Sequence, residues 1–410
     1  MAYKIHPPQS LFTTISLPGS KSISNRALIL NALSLSNYEI ENLSVCEDTR
    51  VISEAFASNT NVFDVRGAGT AMRFLTAFLA GVDGEWIVQG SARMHERPIL
   101  PLVDTLISLG ADIEYIDKKG YPPLKIKGRK LKGGEVYLTA SVSSQFISAL
   151  IMIAPTMELG LKLNLEHEVM SKPYIHLTQK MMEEYGIRIK WTDNIITVKP
   201  QPYTSVPYYV EPDWSAASYW YSFVALMPEA EVKLKGLKKN SMQGDANIVN
   251  LFSDLGVETV FEEDGIILRK KEVKTKKFFH NFINEPDLAQ TFTVTCCLMN
   301  IHFFFTGLQT LKIKETDRIV ALISELKKLG YVLRETENGI LEWDGERCLT
   351  DETIIIETYE DHRMAMSFAP ASLKFENMYI NHPEVVTKSY PSFWDDLQQG
   401  GFKLNELDNF

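Results

Sequence analysis

Six clusters of small polar residues in this chain run straight into apolar stretches, and several of them carry Lys or Arg. They are SKSISNRALILNAL from Ser20, GAGTAMRFLTAFLA from Gly67, SVSSQFISALIMIA from Ser141, EPDWSAASYWYSFVAL from Glu211, EPDLAQTFTVTCCLM from Glu285 and YEDHRMAMSFAPASL from Tyr359. Serine, threonine, glycine and aspartate ahead of an apolar run are helix-start signals. A helix start presents free backbone N–H groups and a partial positive charge. Cations at such starts suit an anionic ligand, phosphate or carboxylate. Taken alone, PGSKSISNRAL, with Lys21 and Arg26, reads equally as a phosphate site or as a capped helix with surface charges. It lacks the GxxxxGK[ST] spacing of a Walker A loop.

The elements that position these clusters repeat. From Ser22 to Thr70 is 48 residues, and the next steps, to Ser144, Trp214, Leu288 and His362, are 74, 70, 74 and 74. After each opening helix comes a strand-like stretch, such as EWIVQGS or AEVKLKGL. A second amphipathic helix follows in most copies. In four of them it ends on a glycine, Gly110, Gly186, Gly256 or Gly330, as a helix C-cap leading into a strand does. Pro98, Pro173 and Pro391 are placed to open second helices. The unit reads as βαβαββ, and the segment SEAFASNTNVFDVRGAG leaves the first copy no room for its hairpin. The fold class is α/β, with two similar domains of three units each. The Pro-rich stretch PYTSVPYYVEPD and a second crossing near Leu17-Pro18-Gly19 divide the chain into 1–18 with 213–410, and 19–212. A cleft between such halves is the natural ligand site.

The 410 residues are 45% apolar, ample for two cores, and the formal net charge of −10 argues against a nucleic-acid binder. Four cysteines (Cys46, Cys296, Cys297 and Cys348) form no CxxC pair and stand with no His cluster, so neither structural zinc nor a disulfide framework is indicated. Cys296 and Cys297 read as buried thiols. No segment reads as a signal peptide or a membrane span, and the expected location is the cytoplasm.

PGSKSISNRAL, GAGTAMR, RMHERP, SVSSQF, SKPY, QGD, KETDR, DHRMA and the late TKSYPSFWDDL occur in the order found in 5-enolpyruvylshikimate-3-phosphate (EPSP) synthases. The resemblance spans essentially the whole chain. It implies an inside-out α/β fold of two domains closing around substrates. It also implies transfer of the enolpyruvyl group of phosphoenolpyruvate to the 5-hydroxyl of shikimate 3-phosphate, with release of phosphate. Neither a metal nor an organic cofactor is implied; the expected partners are the two small molecules, and the expected state is a monomer.

By that resemblance Lys21, Asp287 and Glu315 carry the chemistry. Asp287 is the base at the 5-hydroxyl, and Glu315 with Lys21 exchanges the proton at the methylene carbon. Shikimate 3-phosphate falls to Lys21, Ser22, Arg26, Ser143, Ser144, Gln145, Ser171, Tyr174, Asp287, Thr310 and Lys314. Phosphoenolpyruvate falls to Lys21, Gly67, Gly69, Thr70, Arg73, Arg97, Gln145, Arg318, His362, Arg363 and Lys388. Arginine suits paired contacts with carboxylate or phosphate oxygens, whereas lysine acts as a point charge. Each assignment has a plainer counterpart: Ser143 and Ser144 as helix caps, Glu315 and Arg318 as a helix-surface ion pair, His362 and Asp213 as caps.

The chain departs from the pattern at Gly67 and Thr310, where asparagine is frequent, and at Phe74, where proline is frequent. Glycine at position 69 leaves room for glyphosate in this family, so competition between glyphosate and phosphoenolpyruvate is expected. Two rival readings are the sister transferase acting on UDP-N-acetylglucosamine, which uses a loop cysteine that Cys46 does not resemble, and a non-catalytic anion binder on the same fold.

Overall fold

The computed structural model describes residues 1–139 and 143–407. Ser141 and Val142, at the head of the third opening, lie outside the described residues. The chain groups into two compact units. One is discontinuous, Met1–Pro18 with Glu211–Phe410; the other, Gly19–Val210, is inserted into it.

Among the described residues there are six small sheets, five of four strands and one of two. The two-stranded sheet pairs Ile40–Glu41 with Tyr208–Tyr209. In a full repeat, Val62–Asp64 runs parallel to Gly84–Gln89. That strand is antiparallel to Leu124–Gly128, which pairs in turn with Asp112–Tyr115. A parallel pair needs a crossover, and the helix Gly69–Ala80 supplies it. The N-terminal strand Ala2–His6 lies between Met378–Asn381 and Lys403–Leu407. The next strand, Leu11–Ile15, runs parallel to Ala230–Lys235.

The strands alternate buried and exposed residues, as in LKLNLE at Leu161–Glu166, so one face of each sheet meets solvent. The opening helices are buried almost all round. Every residue of Gly69–Ala80 except Phe78, and all of Ala289–Leu298, is buried. A helix apolar on all sides belongs inside a core. Each unit therefore carries helices at its centre and sheets outside. The second helices are amphipathic: Arg318–Lys328 buries Ile319, Leu322 and Leu326 and exposes Val320.

Hydroxyls explain why the central helices tolerate so much serine and threonine. Ser218 and Thr291 lie 3.1 Å apart, Thr291 and Ser367 3.2 Å, and Ser222 and Thr295 2.7 Å. These bonds join Trp214–Leu226, Ala289–Leu298 and His362–Phe368 while satisfying buried polar groups. Gly110, Gly186, Gly256 and Gly330 all have positive φ, as their capping role requires. Pro173 sits in the first turn of Lys172–Glu184, but Pro98 and Pro391 stand just outside their helices. In Leu100–Ser108 it is Pro101 that occupies the first turn. Cys296 and Cys297 are fully buried, and burial pushes both thiols up.

Candidate active site

In the inserted unit, Gly69 begins a helix and the next turn carries Arg73. Arg73 Nη1 donates to Gly69 O at 2.7 Å, and Arg97 Nη1 donates to Gly67 O at 3.4 Å. The two guanidinium groups crowd the Gly69 α-carbon. A methyl there would meet Arg73 Nη1 at 2.6 Å and Arg97 Nη2 at 2.7 Å. A side chain at Gly67, by contrast, would meet nothing within 4 Å. Gln145 Nε2 donates to Thr70 Oγ1 at 2.9 Å, so Gly67, Gly69, Thr70, Arg73, Arg97 and Gln145 form one cluster. Two buried cations beside a helix N-terminus concentrate positive potential, the condition an anion needs.

Lys21 begins the helix Lys21–Leu33 and pairs with Asp48 at 3.4 Å. Arg26, one turn later, points inward and is 2% exposed. It donates to Thr178 Oγ1 (2.6 Å), Ser148 Oγ (3.1 Å), Ser22 O (2.9 Å) and Tyr174 O (3.3 Å). Its guanidinium also lies 5.3 Å from the centre of the Phe74 ring. Burial pulls Arg26 down to about 10. Arg73 lies similarly over Phe146, at 5.5 Å. Ser143 caps the helix Ser144–Ile153 by accepting from Gln145 N, and Ser171 precedes Lys172–Glu184 in a left-handed conformation.

In the discontinuous unit the charges are paired. Asp287 sits in a short 3-10 turn, Pro286–Leu288, ahead of a central helix. It accepts from Arg363 Nη2 at 2.8 Å and Arg318 Nη1 at 3.2 Å, with Lys314 Nζ at 3.6 Å. Arg318 is 1% exposed and binds three carboxylates. Besides Asp287 it donates to Asp361 through Nε (2.7 Å) and to Glu315 through Nη2 (2.9 Å). Burial alone would lower Arg318, but Asp361, Glu315 and Asp287 together hold it above its ordinary value. Burial pushes Lys314 down, against the pull of Asp287. Arg363 Nη1 also reaches Tyr219 OH and Asp287 O, each at 3.4 Å.

Sequence reasoning passed over Asp361. It caps His362–Phe368 by accepting from Arg363 N at 2.8 Å and binds Arg318 with both oxygens. Its one visible signal is the capping pattern of an aspartate just before an apolar run. Asp213 likewise caps Trp214–Leu226. The loop into Asp361 places two non-glycine residues in succession, Tyr359 and Glu360, in the left-handed region. Glu325 holds Tyr359 OH at 2.6 Å, and Lys388 Nζ holds Glu360 O at 2.7 Å. His362 is buried beside Asp361, its Nδ1 4.0 Å from Asp361 Oδ1. Thr310 Oγ1 is buried and has no hydrogen-bond partner among the described residues.

The sequence profile of EPSP synthase (3-phosphoshikimate 1-carboxyvinyltransferase) matches residues 5–58 and 52–397. The chain belongs to this family. A 3-phosphoshikimate 1-carboxyvinyltransferase of Bacteroides fragilis is 51% identical over 405 residues, covering 98% of this chain and 99% of the relative. One of Vibrio atlanticus is 36% identical over 423 residues, covering 96% and 98%. Among solved structures, an EPSP synthase of Acinetobacter baumannii superposes with a TM-score of 0.79 at 21% identity, over 99% of this chain and all of that one. That likeness shows the shared two-domain inside-out α/β fold. Among the described residues no group of His, Cys, Asp and Glu is placed to hold a metal ion, and no helix is long and apolar enough to cross a membrane.

Proposed function

We propose that this chain transfers the enolpyruvyl group of phosphoenolpyruvate to the 5-hydroxyl of shikimate 3-phosphate and releases phosphate through a tetrahedral intermediate. The observation that carries the reading is the tie between Asp287 and Glu315. Both carboxylates assigned to proton transfer bind the same buried guanidinium, Arg318. A shared, rigid anchor keeps two such groups in fixed geometry, which proton transfer in both directions requires.

Asp287 accepts the proton of the 5-hydroxyl as that oxygen attacks C2 of phosphoenolpyruvate. Arg318, Arg363 and Lys314 orient its carboxylate. Glu315 and Lys21 exchange the proton at the methylene carbon, first adding it and then removing it as phosphate leaves. Arg73, Arg97, Arg318, Arg363 and Lys388 grip phosphoenolpyruvate, with Gly67, Gly69, Thr70 and His362 beside them. Ser22, Arg26, Ser143, Ser144, Ser171, Tyr174, Thr310 and Lys314 hold shikimate 3-phosphate, and Gln145 serves both substrates. Phosphoenolpyruvate brings its own leaving group, so the scheme uses no cofactor. Glyphosate competes with phosphoenolpyruvate, because glycine at position 69 puts no side chain against the Arg73 and Arg97 guanidinium groups. The enzyme acts as a cytoplasmic monomer, which sedimentation at working concentration checks.

Cys46 weighs against the sugar-nucleotide transferase. It is fully buried, with its sulfur 3.4 Å from Thr49 Oγ1, whereas that enzyme needs a cysteine on a mobile loop. The deciding experiment is phosphate release from phosphoenolpyruvate with shikimate 3-phosphate, run in parallel with UDP-N-acetylglucosamine. Release with the first acceptor alone is expected. Release with the second alone would keep the fold and change the acceptor; no release with either would leave an anion binder.

A further inference from the structure

One buried carboxyl near Asp287 has no place in the scheme above. Asp245 lies in the QGD stretch, in the 3-10 turn Gly244–Asn247 against the start of the helix Trp214–Leu226, and is 4% exposed. Its Oδ2 accepts from Ser215 Oγ. Its Oδ1 is buried and has no hydrogen-bond partner among the described residues. The neighbouring carboxylates are better provided for. Asp213 accepts from Ser215 N and Ala216 N. Glu211 accepts from Trp214 Nε1, Ser241 Oγ and Gln243 Nε2. Glu285 accepts from Asn247 Nδ2 and lies 3.5 Å from His280 Nε2. Asp245 has one hydroxyl donor. The charges acting on it are Asp287 and Asp213, of like sign, and Arg363, of opposite sign. Burial first, and then the charge of Asp287, push Asp245 up to about 7.

A carboxylate left in this position is costly as an anion, and packing alone would be served as well by an amide. The turn that carries Asp245 is tied to the approach to Asp287, since Asn247 Nδ2 donates to Glu285 Oε1 at 2.9 Å; Arg363, whose charge also acts on Asp245, binds Asp287 Oδ2 at 2.8 Å. We propose that Asp245 is a positioning residue for proton transfer: it acts through Asp287, and the charge it carries sets how strongly Asp287 holds a proton. This rests on Asp287 being the base. The interaction is reciprocal. When Asp245 is neutral, Asp287 is the weaker base. When Asp245 ionises, the like charge makes Asp287 a stronger one. Once Asp287 has taken the hydroxyl proton its negative charge is gone, and Asp245 gives up its own proton more readily. The charge of the pair then changes little across the step.

The test is the pH dependence of kcat for the full chain with shikimate 3-phosphate and phosphoenolpyruvate, from about pH 5 to 9. The wild type should show an inflection near neutral pH, above which kcat is higher. Asp245→Asn keeps the size and loses the titration. It should match the wild type on the acidic side of the inflection and fall severalfold below it on the alkaline side. Ser215→Ala removes the donor that favours the ionised form, so its inflection should move to higher pH. A uniform loss in Asp245→Asn, with a profile parallel to the wild type, would mean a structural role only and overturns the proposal. If Asp245→Asn does not fold, an unmoved inflection in Ser215→Ala overturns it equally. Asp287→Ala separates the two levels. If that variant keeps its turnover, the assignment of the base has failed; if it loses turnover while the other profiles stay parallel, only the role of Asp245 has failed.

Discussion

The two units keep their buried cations in different company. In the discontinuous unit Arg318 is bound by Asp287, Glu315 and Asp361, and Arg363 by Asp287. In the inserted unit Arg26 is bound by two hydroxyls and two carbonyls and rests on a ring, and Arg97 leans on a carbonyl. Carboxylates cancel a charge, whereas hydroxyls, carbonyls and rings only solvate it. One unit thus holds a nearly neutral network whose geometry is fixed in advance, which suits proton transfer. The other keeps positive potential in hand, which suits gripping an anion. Lys21, in the inserted unit, is paired with Asp48, and it is also the residue there that we propose for proton exchange.

Substitutions can break this contrast. The largest effect is expected at Asp287. Asp287→Ala should lower kcat by about 10²- to 10⁴-fold, as loss of a general base does, while shikimate 3-phosphate binding, followed by calorimetry, changes far less. Next comes Arg318→Met, which leaves Asp361 buried without its cation. Thermal or urea unfolding should show a loss of about 3–5 kcal/mol. Arg26→Met, which strands only neutral partners, should cost about 1–3 kcal/mol in the same measurement. Equal losses at the two sites would erase the distinction between the units.

Gly69→Ala should act on binding rather than on stability. The new methyl displaces the flexible ends of Arg73 and Arg97, so KM for phosphoenolpyruvate should rise about 10- to 100-fold, the worth of a charge-assisted hydrogen bond. Inhibition by glyphosate should weaken in the same assay. The smallest effect is expected for Phe74→Leu. It removes the ring under Arg26 and should destabilise the protein by about 1–2 kcal/mol, from lost cation–π contact and lost volume.

Much of this was legible in the sequence because helix starts are written locally. A serine, glycine or aspartate before an apolar run marks a cap whatever the fold, and six such marks at regular spacing gave the repeats. The short first step likewise reads as a copy with no room for its hairpin. The partners of the guanidinium groups were not legible. Arg26 meets Thr178 and Ser148 from another repeat, and Arg318 meets Asp361 across 43 residues. A long side chain at a helix start can turn toward a ligand or into the core, and only the packed neighbours decide. Phe74, which reads as a departure from the family's proline, is the ring that beds Arg26. Asp361 and Asp245 escaped notice because a short carboxylate in a turn reads as a cap until its second partner, or the lack of one, is seen.

The threading of the chain has a consequence for its birth on the ribosome. Pro18 O accepts from Asp213 N, so the discontinuous unit is joined again directly across the insertion. Yet its strand Ala2–His6 finds its neighbours only at Met378–Asn381 and Lys403–Leu407. At about 5–20 residues per second, the first strand made waits tens of seconds for the last. The inserted unit has all its parts well before then and can fold while the rest is being made. Through that interval the early strands carry open edges, the kind of surface that invites mispairing. Yield in the cell then depends less on how stable the finished protein is than on how well those edges are shielded until translation ends.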